Sequence, residues 1–272
     1  MIFDSFRLLV PQVFRYWREQ RTYKTQVILG AFSAVIGILQ YALLGMFLMR
    51  GGSYPMLDKY GGNLIGFLIT GALGASALFV VMQNPKSSIQ DEQRTGTLEN
   101  IALSKGGIAL VIATRLLIVC ISTLVTTSLL IAGFFIFFSV SATINPVSLV
   151  FTVVVGFLLM SSIGLCSAGY ILNSKSGEPF TWLITTATGL FSGVLFPVEL
   201  YPVWIQKISL LIPTTSIMSA LRMTSLTAIS FEDTISLLVP ALLWTLLLFP
   251  LGVLMFTWGL DRSRKKGTIG MY

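Results

Sequence analysis

Residues 147–171 read VSLVFTVVVGFLLMSSIGLCSAGYI, without a single charged side chain. A bilayer core of about 30 Å needs about 20 mainly apolar residues to be crossed as a helix, and this run is long enough. The same reading extends to 27–47, 62–82, 108–138 and 235–258. A sixth run, 180–196, is shorter and stops at Pro197. The whole chain agrees: 272 residues, 54% hydrophobic, 11% charged, mean hydropathy +0.84. A soluble domain carries roughly a quarter charged residues. The sequence therefore predicts an all-α polytopic membrane protein with six transmembrane helices.

Local residues set several boundaries. Asn145 and Pro146 supply a cap and a first-turn proline for the fourth run, and Asn173 and Gly177 end it. Glu232, Asp233 and Thr234 begin the last run, in which Pro240 and Pro250 predict bends. Residues 200–212 are apolar but too short to cross, contain Gln206 and Lys207, and lie between Pro202 and Pro213. Backbone at membrane depth that does not span must be buried against protein or face a wet cavity. Residues 180–212 thus read as a span followed by a short helix that dips back into the outer leaflet, 197–213 being the re-entrant part.

Six crossings put both termini on one side, and basic residues choose the side. Fourteen of the 18 Lys and Arg fall with the N terminus, among them Arg7, Arg94, Lys105, Arg115 and Arg262. Arg50, Lys59, Lys207 and Arg222 fall opposite. Both termini are expected in the cytoplasm, with the chain in the plasma membrane. The net charge of +7 is then topological, and no nucleic-acid partner is implied. In residues 1–26, Phe3, Phe6, Val10, Val13, Phe14 and Trp17 recur at helical spacing among Arg7, Arg15, Arg18 and Glu19. That pattern predicts a cytoplasmic interfacial helix, or one packed on a partner, rather than a signal peptide. Residues 27–272 form one transmembrane domain.

Much chemistry is missing. The chain has no His, which removes histidine metal sites, triads and proton relays. Cys120 and Cys166 sit in apolar runs and read as packing. No Asp, Glu, Lys or Arg falls near mid-bilayer in the six spans, and Arg115 lies close enough to an end to snorkel. Intramembrane ionisable groups mark ion and proton pathways, so an ion-driven carrier or charge-selective channel is disfavoured. No G-x-x-x-x-G-K-[ST] loop occurs. The chain is not expected to be an enzyme, and no metal or cofactor of its own is implied; energy has to arrive through another subunit.

Two polar passages stand out. Within the expected cytoplasmic segment 83–106, Asp91 and Glu92 precede Gly96, and Thr97 can cap a turn whose apolar side is Leu98, Ile101 and Ala102. This is a short amphipathic handle, or else a solvated loop. The second passage runs from Gly189 to Arg222 and is broken by Pro197, Pro202 and Pro213. Gly189 and Gly193 form a small-xxx-small pair, and Tyr201 and Trp204 suit the outer interface.

Together these passages resemble the ABC type-2 (ABC-2) permeases, the membrane subunits of ATP-binding-cassette exporters. The family's acidic E-x-x-x-G-T-L-E pattern is matched by Glu92, Gly96, Thr97, Leu98 and Glu99. Its S-G-x-x-F-P…L-x-P-x-W-[IL]-Q…P-[LT]-T…L-R pattern is matched by Ser192, Gly193, Phe196, Pro197, Leu200, Pro202, Trp204, Ile205, Gln206, Pro213, Thr215, Leu221 and Arg222. Ser104-Lys105-Gly106 stands where many relatives have Pro after the acidic motif.

The resemblance implies a permease that pairs with a second permease chain, alike or similar, and with two cytoplasmic P-loop ATPase subunits that hold ATP and magnesium. Residues 90–103 would be the coupling helix, with Asp91, Glu92, Gly96, Thr97, Leu98 and Glu99 as its contact motif. Gly193, Phe196, Pro197, Pro202, Trp204, Gln206 and Pro213 would form the outer gate, and the second and fifth spans the passage. Glu92→Lys or Gly96→Pro is then expected to abolish transport without harming insertion or folding. Uncharged spans suit export of a small hydrophobic or amphipathic molecule such as a drug, antibiotic or lipid-like compound. A lipid-linked glycan exporter and a non-transporting membrane scaffold or sensor are the alternatives.

Overall fold

The computed structural model describes residues 24–49, 55–103, 107–140, 143–172 and 179–266. The amphipathic segment expected before residue 24 lies outside these, as do Asn173 and Gly177. The described elements are α1 (Lys24–Met49), α2 (Leu64–Arg94), α3 (Leu98–Leu103), α4 (Gly107–Phe137), α5 (Pro146–Ile171), α6 (Pro179–Phe191), α7 (Val203–Leu211), α8 (Pro213–Leu226) and α9 (Phe231–Lys266). Short 3-10 turns cover Pro55–Tyr60 and Val198–Leu200. Among the described residues five helices, α1, α2, α4, α5 and α9, are long and apolar enough to cross a membrane. The sixth apolar run is a 13-residue helix, α6, about 20 Å long at 1.5 Å per residue and too short to cross alone.

One end of the bundle is set by two asparagines. Asn63 caps α2 by accepting from the Gly66 amide at 3.0 Å, and Asn145 caps α5 by accepting from Ser148 at 3.3 Å. The Asn145 amide also donates to Thr224 O at 3.0 Å, and its side chain to Ile229 O at 2.9 Å, which ties this end to α8. The opposite end carries the turn between α2 and α3. Helix α2 is central: it packs on α1, α4, α5 and α8, while α5 lies along α9. Leu78, Val81, Met82, Leu159, Met160, Ile217, Met218 and Leu238 fill the space between them. Around this core α1, α4 and α9 turn large apolar side chains outward, Phe47 at 72% and Ile136 at 81% exposure. Lipid tails are as apolar as these side chains, so the bundle coheres by close packing rather than by hiding them.

Four expectations need correction. Helix α2 does not stop with its apolar run at Met82; it continues through Pro85 to Arg94. The residues after Met82 are polar but many are good helix formers, and Pro85 sits where Gly164 leaves room for its ring. Residues 213–226, read without a helix, form α8, with proline at its first turn. Gly193 falls beyond the end of α6 at φ +71°, and nothing approaches the Cβ position of Gly189, so this pair does not join two helices. Helix α9 is capped by Ser230, not by Glu232 to Thr234. The Ser230 hydroxyl donates to the Asp233 carboxylate at 2.7 Å and accepts from the Asp233 amide at 3.1 Å, a reciprocal cap. Pro240 and Pro250 lie inside α9.

Candidate functional site

Two regions at opposite ends of the bundle hold the residues singled out in the sequence. The first is the hairpin between α2 and α4. The Thr97 amide donates to Glu92 O at 3.0 Å and the Gly96 amide to Gln93 O at 3.1 Å. With Gly96 at φ +66°, this closes α2 by a double hydrogen bond that needs a left-handed residue at its centre. Helix α3 follows at once.

The carboxylate of Glu92 holds this turn together from inside. It accepts from the Thr97 hydroxyl and from Arg115 of α4, and Arg115 also reaches Ser88 O at 3.5 Å. The Glu92 side chain is 4% exposed and that of Arg115 14%. Arg115, expected to snorkel toward the interface, is instead the partner of a buried carboxylate. Thr97 spends its hydroxyl on Glu92 rather than on α3. Below them Leu98 packs with Ile89, Ile108 and Ile112, with Ile101 and Ala102 against the same cluster.

The six motif residues therefore divide. Glu92, Thr97 and Leu98 build the hairpin with their side chains and Gly96 with its backbone, while Asp91 and Glu99 are exposed, as is Leu103, an aliphatic side chain 83% exposed. Glu92→Lys would bury two cations side by side, so it tests the fold of the hairpin and not only its contacts. This corrects the expectation that the substitution spares folding.

The second region is the broken segment between α6 and α8, and its centre is a residue that charge counting misplaced. Arg222, grouped above with the exterior charges, is 2% exposed. Its guanidinium donates to Gly193 O at 2.7 Å, Val194 O at 2.6 Å and Phe67 O at 3.3 Å, and stacks 3.6 Å from the Phe67 ring centre. Gly193 and Val194 lie where α6 has ended and their carbonyls have lost helical partners, which is the defect that the arginine repairs. Gly71 makes room for it: a Cβ there would overlap both the Arg222 guanidinium and Val194 O.

Hydroxyls knit the inner part of this region, Ser192 to Thr214 at 2.5 Å and Thr214 to Thr188 at 3.2 Å. Nearer the asparagine end, Tyr201 donates to Leu190 O at 2.9 Å. Gln206 donates to Tyr201 O at 2.8 Å and Glu199 O at 3.3 Å. An exposed Lys59–Glu199 ion pair at 3.3 Å links the segment to the turn before α2.

Of the expected gate residues, Gly193, Pro197 and Gln206 belong to this knot, and Pro213 opens α8. Phe196, Pro202 and Trp204 are exposed. Gly71, Phe67, Val194 and Thr188 went unremarked, and Tyr201, read only as an interfacial aromatic, also ties into it through Leu190 O. The available signal was Arg222 itself, a lone cation in an otherwise uncharged stretch from Pro213 to Leu226.

A family model described as ABC-2 type transporter matches residues 13–226, a stretch that contains both regions and ends with α8. No protein of curated function matches the chain. The chain belongs to the ABC-2 type transporter family, and it is a multi-pass membrane protein.

Proposed function

We propose that this family member is the permease subunit of an ATP-driven exporter that moves a small hydrophobic or amphipathic molecule out of the cytoplasm or the inner leaflet. Its ATP is hydrolysed by two cytoplasmic P-loop subunits, and a second permease chain completes the membrane part. The polypeptide crosses six times, α6 and the extended residues after it making the fifth crossing. Helices α7 and α8 dip in from the outer face as a hairpin, and both termini are cytoplasmic. The positive-inside bias supports this orientation.

The observation that carries the reading is the hairpin. A partner that presses on Asp91, Glu99 and Leu103 meets an element already fastened to α4 by the Glu92–Arg115 pair and by the Leu98 cluster. Displacement of the hairpin then moves α2 and α4 together rather than bending a loop. At the other end Arg222 holds the gate segment to α2. Because α2 takes part in both regions, its movement is felt at the gate. Nucleotide and cargo have to favour different arrangements of these helices for the movement to count as transport.

The test is ATP turnover by the chain reconstituted with its ATPase subunits in liposomes. The proposal expects hydrophobic dyes to stimulate turnover and to be expelled. Reversing the two exposed acids, Asp91→Lys with Glu99→Lys, is expected to remove the stimulation without lowering the thermal midpoint of the permease. Stimulation that survives the double reversal would show that this face does not carry the coupling.

A further inference from the structure

A groove between α4, α5 and α9 belongs to neither region. Its volume is about 560 Å³, within the range of roughly 300–1,000 Å³ typical of small-molecule sites. Along α4 the lining runs from Ala109 through Ala113 to Cys120, about 16 Å of helix at 1.5 Å per residue. That is close to half of the roughly 30 Å hydrocarbon core, the depth of a single leaflet.

The groove lies toward the hairpin end, since its lining starts two residues after the first residue of α4 and reaches Thr257 on α9. Its hydroxyls are already used within their own helices: Ser161 donates to Phe157 O at 2.6 Å and Thr257 to Val253 O at 3.0 Å. The walls therefore offer an occupant apolar surface and little else.

The mouth is different. Just beyond Thr257, the Arg262 guanidinium stands 5.0 Å from the Trp258 ring centre. A guanidinium nitrogen of Arg264 lies 3.8 Å from where a side chain on Gly107 would begin, at the first turn of α4. Along the last turns of α9, Arg262, Arg264 and Lys265 outnumber Asp261.

An apolar channel one leaflet deep with a basic mouth is complementary to an amphiphile with an anionic head. We propose that the groove binds one acyl chain of an anionic glycerophospholipid from the leaflet on the hairpin side, its phosphate resting at Arg264. The lipid is a resident of the permease and not its cargo. Seated between α4 and the α5–α9 pair, it fills the gap that α4 would otherwise have to close, which ties the mobility of α4 to membrane composition.

The test is electron paramagnetic resonance of the full chain in phosphatidylcholine bilayers, with spin-labelled phosphatidylglycerol or spin-labelled phosphatidylcholine as probe. Phosphatidylglycerol is expected to associate about five-fold more strongly, as one or two net basic residues at a membrane surface allow. Arg264→Gln is expected to bring that ratio below about two-fold. Ala113→Phe fills an exposed wall of the groove without entering the core, and is expected to remove the immobilised phosphatidylglycerol altogether. Val154→Phe, from the facing helix, repeats the block if the first variant purifies poorly. Equal association of the two lipids overturns the proposal, and so does a preference that survives both Arg264→Gln and a filled groove. Displacement of the label by an equimolar rhodamine dye overturns it too, because the groove would then be a cargo entrance.

Discussion

Two arginines fasten the two ends of this bundle, and they do so by different chemistry. Arg115 meets a carboxylate, Glu92, at the junction of two unbroken helices. Arg222 meets carbonyl oxygens, two of them on backbone that has left its helix. Removing one member of a buried ion pair leaves an uncompensated charge, so the hairpin is a staple that has no cheap open state. A guanidinium held by neutral carbonyls can exchange them for water or for other carbonyls with less penalty. On the proposed function, this difference puts rigidity at the end that would receive force and reversibility at the end that would open.

The sharpest way to break this comparison is Glu92→Lys. Two buried cations in contact, with the Thr97 acceptor also lost, are expected to cost about 3–5 kcal/mol, read as a lower thermal midpoint in detergent and poor recovery from membranes. Glu92→Gln keeps an acceptor for both partners and is expected to recover part of the loss. A Glu92→Lys protein as stable as the parent would remove the staple from the account.

Arg222→Met comes next. It fills the space but abandons three carbonyls, each charge-assisted bond being worth about 1.5–3 kcal/mol in a buried setting. The expected outcome is destabilisation of about 3 kcal/mol together with loss of export, while basal ATP turnover of the reconstituted complex persists. Equal loss of basal turnover would mean that the two ends are not separable.

Gly71→Ala tests the same knot more gently. A methyl group at the meeting point of Arg222 and Val194 is expected to cost about 1–3 kcal/mol through overpacking, and to raise the accessibility of the gate segment to proteolysis from outside. The smallest effect belongs to Lys59→Ala. Its pair with Glu199 is exposed, so a change under about 1 kcal/mol is expected, fading as salt rises.

The sequence made the long helices legible because 20 or more uncharged residues have few other places to go. It was less informative wherever hydropathy and helicity part company. Helix α2 outruns its apolar run because Ile89 and Glu92 are buried against other helices, and no window of hydropathy registers a buried carboxylate. Helix α8 escaped because 14 residues interrupted by hydroxyls look like a connection until α2, α5 and α9 surround them. Counting charge treated Arg222 as a loop residue, since a formal charge carries no information about three carbonyls brought from α2 and the broken segment. The motif residues of the hairpin were found, but which of them face inward depended on Arg115, 23 positions away from Glu92.

The most direct measurement is the sidedness of the two regions. Glu99→Cys and Trp204→Cys, each introduced singly, would be probed with a membrane-impermeant maleimide in oriented vesicles. The account predicts that Glu99→Cys is labelled only from the cytoplasmic face and Trp204→Cys only from the opposite one. Labelling of both from the same face, or with the faces exchanged, would contradict it.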